Sequence, residues 1–231
     1  PNRAAFVGKG FSGLITHPVS LNFPSVYAGY FQSMVAELTG RAPDWPLRPR
    51  VYPSPADETK ATEIWNLFGF SASRPVVAVS LKTRQAKGNW PEDVLLSVLN
   101  AARERMDFDV AFCGAQSDAG PLHSVAASLP YAARVLAGEA KLLPFAAFLS
   151  RCAALLTMDS GPRHMGNAMG IPVVFARNLS HSRIEAGKYC DTETDLAPDA
   201  EYLSDGETER VARAQSVPLM AEVLLRAVRG I

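Results

Sequence analysis

The sequence predicts an α/β protein with a Rossmann-like parallel sheet that carries helices on both faces. From residue 75 onward, short and almost wholly apolar runs alternate with amphipathic stretches of helical period. Strands buried on both faces of a parallel sheet have this composition, and helices usually connect them. Polar residues follow several of these runs, which is typical of a ligand site at the carboxyl edge of a sheet.

Three regions are predicted along the chain. Residues 1–45 hold one amphipathic helix, at 25–38, and are expected to be the remnant of a separate N-terminal domain. Residues 46–74 are a proline-rich linker followed by a helix, because closely spaced prolines make a stiff connector. Residues 75–231 are predicted to form the sheet domain.

Within the sheet domain, the period of the apolar residues predicts each element in turn. Strands are predicted at 76–81, 110–113, 134–136, 153–157 and 171–175. Helices are predicted at 91–106, 119–128, 143–152 and 218–229. Residues 178–215 are polar and irregular, and their pattern predicts no element.

The segment Met-Asp-Ser-Gly-Pro-Arg-His lies between the last two of these strands and predicts a short helix. Ser160 can cap the helix, Pro162 suits its first turn, and Gly170 suits a left-handed exit. The start of such a helix attracts phosphate through unpaired N–H groups and the positive end of its dipole. Because Arg163 and His164 also lie in the first turn, we expect a nucleotide diphosphate to bind here.

Four predicted strands end in polar residues, and these ends would meet at one edge of the sheet. The side chains concerned are cations, hydroxyls, carboxylates and an amide: Thr83, Lys87, Asp118, Asp159, Ser160, His164, Arg177 and Asn178. Cations and helix-start amides suit a diphosphate, and the Asp118 carboxylate suits ribose hydroxyls. The set therefore predicts a single nucleotide site.

Each candidate residue also has a simpler explanation. Lys87 could be a solvated loop lysine, and either Asp118 or Asp159 could only cap a helix. His164 could be a helix histidine with an ordinary protein partner. Trp90 is predicted to pack in the core and anchor its loop.

Composition argues against several other functions. The net charge is zero and no long basic run occurs, so a nucleic-acid partner is not expected. The apolar stretches are too short to span a bilayer. The three cysteines are widely spaced, which predicts buried reduced thiols in a cytoplasmic protein and no metal site.

The motifs together resemble one known family. A lysine–tryptophan loop follows the first strand of the sheet, and Asp-Ser-Gly-x-x-His at 159–164 precedes Gly-x-Pro at 170–172. This pattern resembles glycosyltransferase family 9, the heptosyltransferase family of bacterial lipopolysaccharide assembly. Residues 76–175 are similar to its donor-binding C-terminal domain, and residues 1–40 are similar to the end of its N-terminal acceptor-binding domain.

The resemblance implies the C-terminal half of a GT-B fold with a partial N-terminal domain. It also implies inverting, metal-independent transfer of a heptose-like sugar from a nucleotide diphosphate donor such as ADP-heptose. The acceptor would be lipopolysaccharide, another glycan or a lipid-linked sugar. The nucleotide sugar is then a substrate, and no cofactor is expected. Such a protein would be cytoplasmic, with peripheral association at the inner face of the inner membrane.

The resemblance assigns roles residue by residue. Contacts with the donor phosphates and the ribose are assigned to Thr83, Lys87 and Asp118. The sugar and diphosphate site is assigned to Asp159, Ser160, Gly161 and His164. The residues assigned to catalysis are Lys87, Asp159 and His164. Further candidates for the site are Arg163, Arg177 and Asn178.

The sequence also departs from the family pattern. Arg163 adds a charge to the helix start, and Met-Gly-Asn at 165–167 replaces a more usual alanine-rich stretch. The first strand and loop of the family, with its proposed general-base aspartate, have no counterpart, so we expect a truncated chain that lacks the base. Two other functions stay open: a non-catalytic nucleotide-sugar binding module, and a sugar-nucleotide epimerase of GT-B fold.

Overall fold

The structure is a computed structural model that describes residues 3–6, 12–19, 27–41, 47–83 and 87–231. The strands in the described residues are β1 Ala4–Phe6, β2 His17–Val19, β3 Val76–Ser80, β4 Asp109–Phe112, β5 Ala133–Val135, β6 Ala154–Met158, β7 Val173–Ala176 and β8 Glu193–Asp195. The α-helices are α1 Tyr27–Thr39, α2 Pro55–Leu67, α3 Glu92–Arg105, α4 Ala119–Ser128, α5 Leu142–Leu149, α6 Gly161–Met169, α7 Arg183–Ala186, α8 Asp205–Arg213 and α9 Val217–Arg229.

Six of these strands form one parallel sheet in the order β5-β4-β3-β6-β7-β8. Within this sheet the chain first forms the central strand β3 and then β4 and β5 on one side of it. It next crosses to the other side of β3, where it forms β6. Connections therefore leave β3 and β6 in opposite directions. In doubly wound sheets, the crevice at such a switch point binds ligands.

The side chains of β3 show why the sheet is covered on both faces. Val77 and Val79 point to a core shared with α3 and α9, and their neighbours Val76 and Ala78 point to a core shared with α2 and α5. All of β3 and β6 is buried. Strands with two buried faces are mostly apolar, as the sequence predicts, and the exceptions here are Ser80 and Thr157 near the carboxyl ends of β3 and β6.

The described residues before residue 42 contain a two-stranded sheet, β1 and β2, and the helix α1. β1 and β2 pair in parallel, with Ala4 opposite His17. The predicted helix at 25–38 corresponds to α1, Tyr27–Thr39, and its predicted first residues lie outside the described part of the chain. The division into residues 1–45, 46–74 and 75–231 stays a prediction.

The segment 178–215, for which the sequence pattern predicts no element, contains α7, β8 and α8. β8 extends the sheet beside β7, with Val173 opposite Glu193. No helix in the described ranges is both long and apolar enough to cross a bilayer.

Helix α6 lies very close to the sheet, and Gly166 makes this possible. A Cβ at this position would lie 2.8 Å from Cγ2 of Val173 and 3.0 Å from Cδ2 of Leu155. Both neighbours are buried strand residues, so an added methyl would press on close-packed side chains. The Met-Gly-Asn departure from the family pattern therefore has a packing reason at its glycine.

We expect Gly166→Ala to lower the free energy of unfolding by about 1–3 kcal/mol, because the added methyl overpacks the α6–sheet contact. Urea unfolding measures this loss. The matched control is Gly120→Ala in α4, where a Cβ would meet no atom within 4 Å. The control should be neutral or slightly stabilising, since alanine favours helix. Equal behaviour of the two variants would contradict this account of α6 packing.

Candidate functional site

A cavity of about 950 Å³ opens at the carboxyl edge of the sheet, at the switch point between β3 and β6. Its walls come from the ends of β3, β4 and β6, from the segments that follow them, and from the chain between β5 and the first turns of α5. The lining residues used below are Lys82, Thr83, Asp118, Asp159, Ser160, Gly161, Leu136, Leu142 and Phe145. Residues predicted from separate strand ends therefore meet at one cavity.

The start of α6 faces this cavity without a side-chain cap. Ser160 has extended backbone angles, φ −154° and ψ 177°, and its side chain makes no capping hydrogen bond. Its hydroxyl donates instead to the carbonyl oxygen of Met158 at 3.3 Å. The predicted side-chain cap is therefore wrong, although the helix begins at the predicted place. A Cβ on Gly161 would meet no atom within 4 Å, so the helix start is open to an anion.

Asp118 lines the far side of the cavity. Its Oδ2 accepts a hydrogen bond from the backbone N–H of Ala115 at 2.8 Å, and its side chain makes no cap for α4. Gly114 allows this fold-back, because a Cβ there would lie 2.9 Å from the same oxygen. The Asp118 carboxylate is thus held by the loop while its residue borders the cavity.

The loop after β3 carries two lysines with different surroundings. Lys82 lines the cavity, and its ammonium forms an ion pair with Glu92. Lys87 is exposed and is absent from the cavity lining, and its ammonium has no ion-pair partner within the part of the chain that the structure describes. Thr83 lines the cavity, and its Oγ1 accepts from Nδ2 of Asn89 at 2.6 Å.

Asn178 anchors this loop. Its Nδ2 donates to the carbonyl oxygen of Lys87 at 2.7 Å, and its Oδ1 accepts from the backbone N–H of Ser180 at 2.9 Å. Gly88 has φ +73°, and a Cβ there would lie only 2.3 Å from Oδ1 of Asn178. Trp90 is buried in the core at the end of the loop, as the packing alternative predicts.

Arg163 lies in the first turn of α6 but points into the protein, where it is only 1% exposed. Its guanidinium donates from Nε and Nη2 to the two carboxylate oxygens of Glu193, at 2.6 and 3.1 Å. Nη1 donates to Oδ1 of Asp159 at 2.8 Å. The remaining donors reach the carbonyl oxygens of Ala186 and Gly187, at 2.8 and 2.6 Å. The group also stacks on the ring of Phe175, 3.6 Å from its centroid.

Glu193 completes a buried polar network under α6. Burial would raise the pKa of Glu193, but the hydrogen bonds and charge of Arg163, the N–H of Tyr189 and the amide of Asn167 outweigh it and lower the pKa. Asn167 is fully buried, and its Nδ2 donates to Oε1 of Glu193 at 2.5 Å. The asparagine that departs from the family pattern is thus a partner of Glu193.

His164 lies on the outer side of α6, away from the large cavity. Nδ1 of His164 is 2.6 Å from the hydroxyl of Tyr189. Desolvation of the ring and the positive charge of Arg163 lower the pKa of His164, which favours a neutral imidazole near pH 7. His164, Tyr189 and Phe31 border a second cavity of about 310 Å³. Asp159 lines both cavities and so marks the boundary between them.

Arg177 lies apart from both cavities. It is fully buried, with Nε donating to Oδ2 of Asp195 at 2.9 Å. Nη1 and Nη2 donate to the carbonyl oxygens of Ala200 and Pro198, both at 2.9 Å. Its guanidinium therefore holds the segment after β8 against the sheet. No group of three or more His, Cys, Asp or Glu residues in the described ranges is placed to hold a metal ion.

Comparison with known families identifies the chain. The sequence model of glycosyltransferase family 9 (heptosyltransferase) matches residues 43–176, more than half of the 231 residues. The chain belongs to glycosyltransferase family 9. Its class is therefore that of the glycosyltransferases. A search of curated proteins finds no match.

Solved structures support the fold of this family 9 chain. The glycosyltransferase family 9 protein of Veillonella parvula superposes with a TM-score of 0.80 at 17% identity, over 100% of this chain and 68% of that one. E. coli ADP-heptose LPS heptosyltransferase II gives a TM-score of 0.76 at 19% identity, over 100% and 70%. E. coli heptosyltransferase WaaC with ADP gives a TM-score of 0.63 at 14% identity, over 94% of this chain and 61% of that one. The predicted family and the GT-B-type α/β fold are confirmed.

The family 9 structure brings some predicted residues together and separates others. Those at the large cavity are Thr83, Asp118, Asp159, Ser160 and Gly161. Those elsewhere are Lys87, exposed on its loop, His164 at the second cavity, and Arg163, Arg177 and Asn178, whose side-chain donors bind protein acceptors. Sequence reasoning missed Glu193 and Tyr189, which lie in the segment without a recognisable period.

Glu193→Gln tests the buried network. The amide keeps the side-chain shape but removes the counter-charge of Arg163, so we expect a loss of about 3–5 kcal/mol in unfolding free energy at pH 7. Because folding lowers the pKa of Glu193 from 4.5, the carboxylate stabilises fully above that pH and loses its effect as pH falls through the lower folded value. The gap between wild type and variant should therefore shrink in acid.

Urea unfolding of both proteins at several pH values measures this gap. The matched control is Glu63→Gln, which removes an exposed ion pair with Lys60. Exposed pairs contribute little, so the control should follow wild type at every pH. A gap that stayed constant into acid would show that the charge of Glu193 has no part in stability.

Proposed function

We propose that this chain forms the donor site of an inverting, metal-independent glycosyltransferase. The donor would be a nucleotide diphosphate sugar such as ADP-heptose, and the acceptor lipopolysaccharide, another glycan or a lipid-linked sugar. The observation that carries the proposal is the cavity at the switch point, where the open start of α6 meets Thr83 and Asp118. E. coli heptosyltransferase WaaC, whose solved structure is with ADP, has the same fold, and this supports ADP as the nucleotide of the donor.

The groups that line the cavity would suit the diphosphate, the ribose and the base of such a donor. The diphosphate would lie against the backbone N–H of Gly161 and the hydroxyl of Thr83, because a helix start favours negative charge. The carboxylate of Asp118 would accept hydrogen bonds from the ribose. Apolar side chains at the far end, Leu142 and Phe145 among them, would pack on the base.

The sugar would then point toward the boundary that Asp159 forms between the two cavities, with His164 beyond it. As the bond to the diphosphate breaks, negative charge grows on the leaving phosphate. The positive end of the α6 dipole, with the N–H of Gly161, and the ammonium of Lys87 would stabilise that charge more than the ground state, which lowers the barrier. We assign no general base among the described residues.

The proposed role of Lys87 needs a movement of its side chain. Its backbone is tied by Asn178 at one edge of the site, and its exposed ammonium has no competing ion pair within the described ranges. A flexible lysine in this state can turn toward a bound diphosphate. The protein would work in the cytoplasm, at the inner face of the inner membrane.

Titration calorimetry with ADP, UDP and GDP tests the donor site. We expect ADP to bind, and to bind with higher affinity than AMP, because the second phosphate reaches the α6 start. A chain that bound none of the three diphosphates would end the donor-site proposal. Binding without transfer to a lipopolysaccharide acceptor would instead favour a nucleotide-sugar binding module.

Lys87→Ala should weaken ADP binding by about ten- to a hundredfold, since a hydrogen bond to a charged group contributes roughly 1.5–3 kcal/mol. AMP binding should change much less. The matched control is Lys60→Ala in α2, an exposed lysine far from the cavity, which should bind ADP as wild type does. An unchanged ADP affinity in Lys87→Ala would remove this residue from the site.

A further inference from the structure

We propose that Arg163 is a positioning residue that holds the carboxylate of Asp159 at the boundary of the two cavities, so that Asp159 binds the transferred sugar. This inference rests on the proposed function, because it needs a nucleotide sugar in the large cavity. In this role Arg163 acts on the donor only through Asp159 and does not contact the donor itself.

The hydrogen bonds of Arg163 exclude a direct role. A guanidinium has five N–H donors, and the protein accepts from all five: two reach Glu193, one reaches Asp159, and two reach backbone carbonyls of the α7–β8 segment. The side chain is 1% exposed, so no donor is left for a ligand. The charge that departs from the family pattern therefore acts inside the protein.

Within this network Asp159 lines both cavities, whereas Arg163 borders only the smaller one. Oδ1 of Asp159 accepts from Arg163 at 2.8 Å, and the Asp159 side chain is 17% exposed. Its second oxygen has no hydrogen-bond partner in the part of the chain that the structure describes. One oxygen is thus fixed by Arg163, and the other is free to accept from a ligand hydroxyl.

Charge balance explains why Glu193 belongs to the arrangement. The two carboxylates and one guanidinium carry a net charge of −1, since the buried Glu193 neutralises Arg163. Asp159 can then present a carboxylate of nearly full charge to the sugar. Such a group binds sugar hydroxyls and favours the positive charge that develops on the ring as the diphosphate leaves.

The test compares two ligands that differ only in the sugar. The affinity ratio of ADP-heptose to ADP reports the contacts of the sugar, whereas ADP alone reports the rest of the site. We expect wild type to prefer ADP-heptose by tenfold or more, about the contribution of a hydrogen bond to a charged group. General damage to the fold weakens both ligands and leaves the ratio unchanged.

Arg163→Lys keeps the charge next to Glu193 but cannot reach both carboxylates and both carbonyls. We expect it to lower the ADP-heptose preference about tenfold with little change in ADP affinity. Asp159→Asn should lower the preference by a similar factor. In the double variant the losses should not add, because both substitutions remove the same interaction.

The matched control is Arg177→Lys. Arg177 is equally buried and pairs with one carboxylate and two carbonyls, but it touches neither Asp159 nor the large cavity. The control should lose stability as Arg163→Lys does, measured by urea unfolding, and keep the ligand preference of wild type.

The outcomes separate the two proposals. A wild-type chain that binds neither ligand overturns the proposed function and this inference with it. A wild type that binds ADP but shows no preference for ADP-heptose keeps the donor site and overturns the role of Asp159. An unchanged preference in a folded Arg163→Lys variant, or additive losses in the double variant, overturns the positioning role. If Arg163→Lys does not fold, an unchanged preference in Asp159→Asn overturns the inference in its place.

Discussion

The buried guanidinium of Arg163 fixes how α6 packs against the β7–β8 side of the sheet. It joins the first turn of α6 to β8 through Glu193, and it fixes the α7–β8 segment through two backbone carbonyls. A charge in this position is stable only if every donor finds an acceptor, because an unpaired buried charge costs several kcal/mol. Asp159 is one of these acceptors, since its Oδ1 lies 2.8 Å from Nη1 of Arg163.

Two general features of parallel sheets meet at the same place. The strand order puts a crevice between β3 and β6, and the start of α6, which has no side-chain cap, lies at its mouth with the N–H of Gly161 in its first turn. Ser160 leaves that start uncapped, because its hydroxyl donates back to the carbonyl oxygen of Met158. The uncapped helix start, Thr83 and Asp118 thus border the same cavity, which is the arrangement on which the proposed donor site depends.

Much of this fold could be predicted from local patterns. Strands such as β3 and β6 are buried on both faces, so their sequences are almost wholly apolar. Helix α6 has Pro162 in its first turn and ends at Gly170, as the rules of helix ends predict. The segment 178–215 could not be predicted in this way. β8 is three residues long and is held by pairing with β7 and by Glu193, neither of which leaves a period in the sequence.

The sequence by itself determined the family, the parallel sheet and the strand ends that supply Asp118, Asp159 and Gly161 to one edge, because each depends on neighbours along the chain. Only the tertiary structure decided which cations face the site. Arg163 lies in the first turn of α6 and Arg177 directly follows β7, yet both point inward. Arg163 pairs with Glu193 and Arg177 with Asp195, 30 and 18 residues further along the chain, and no local pattern predicts pairing over such separations.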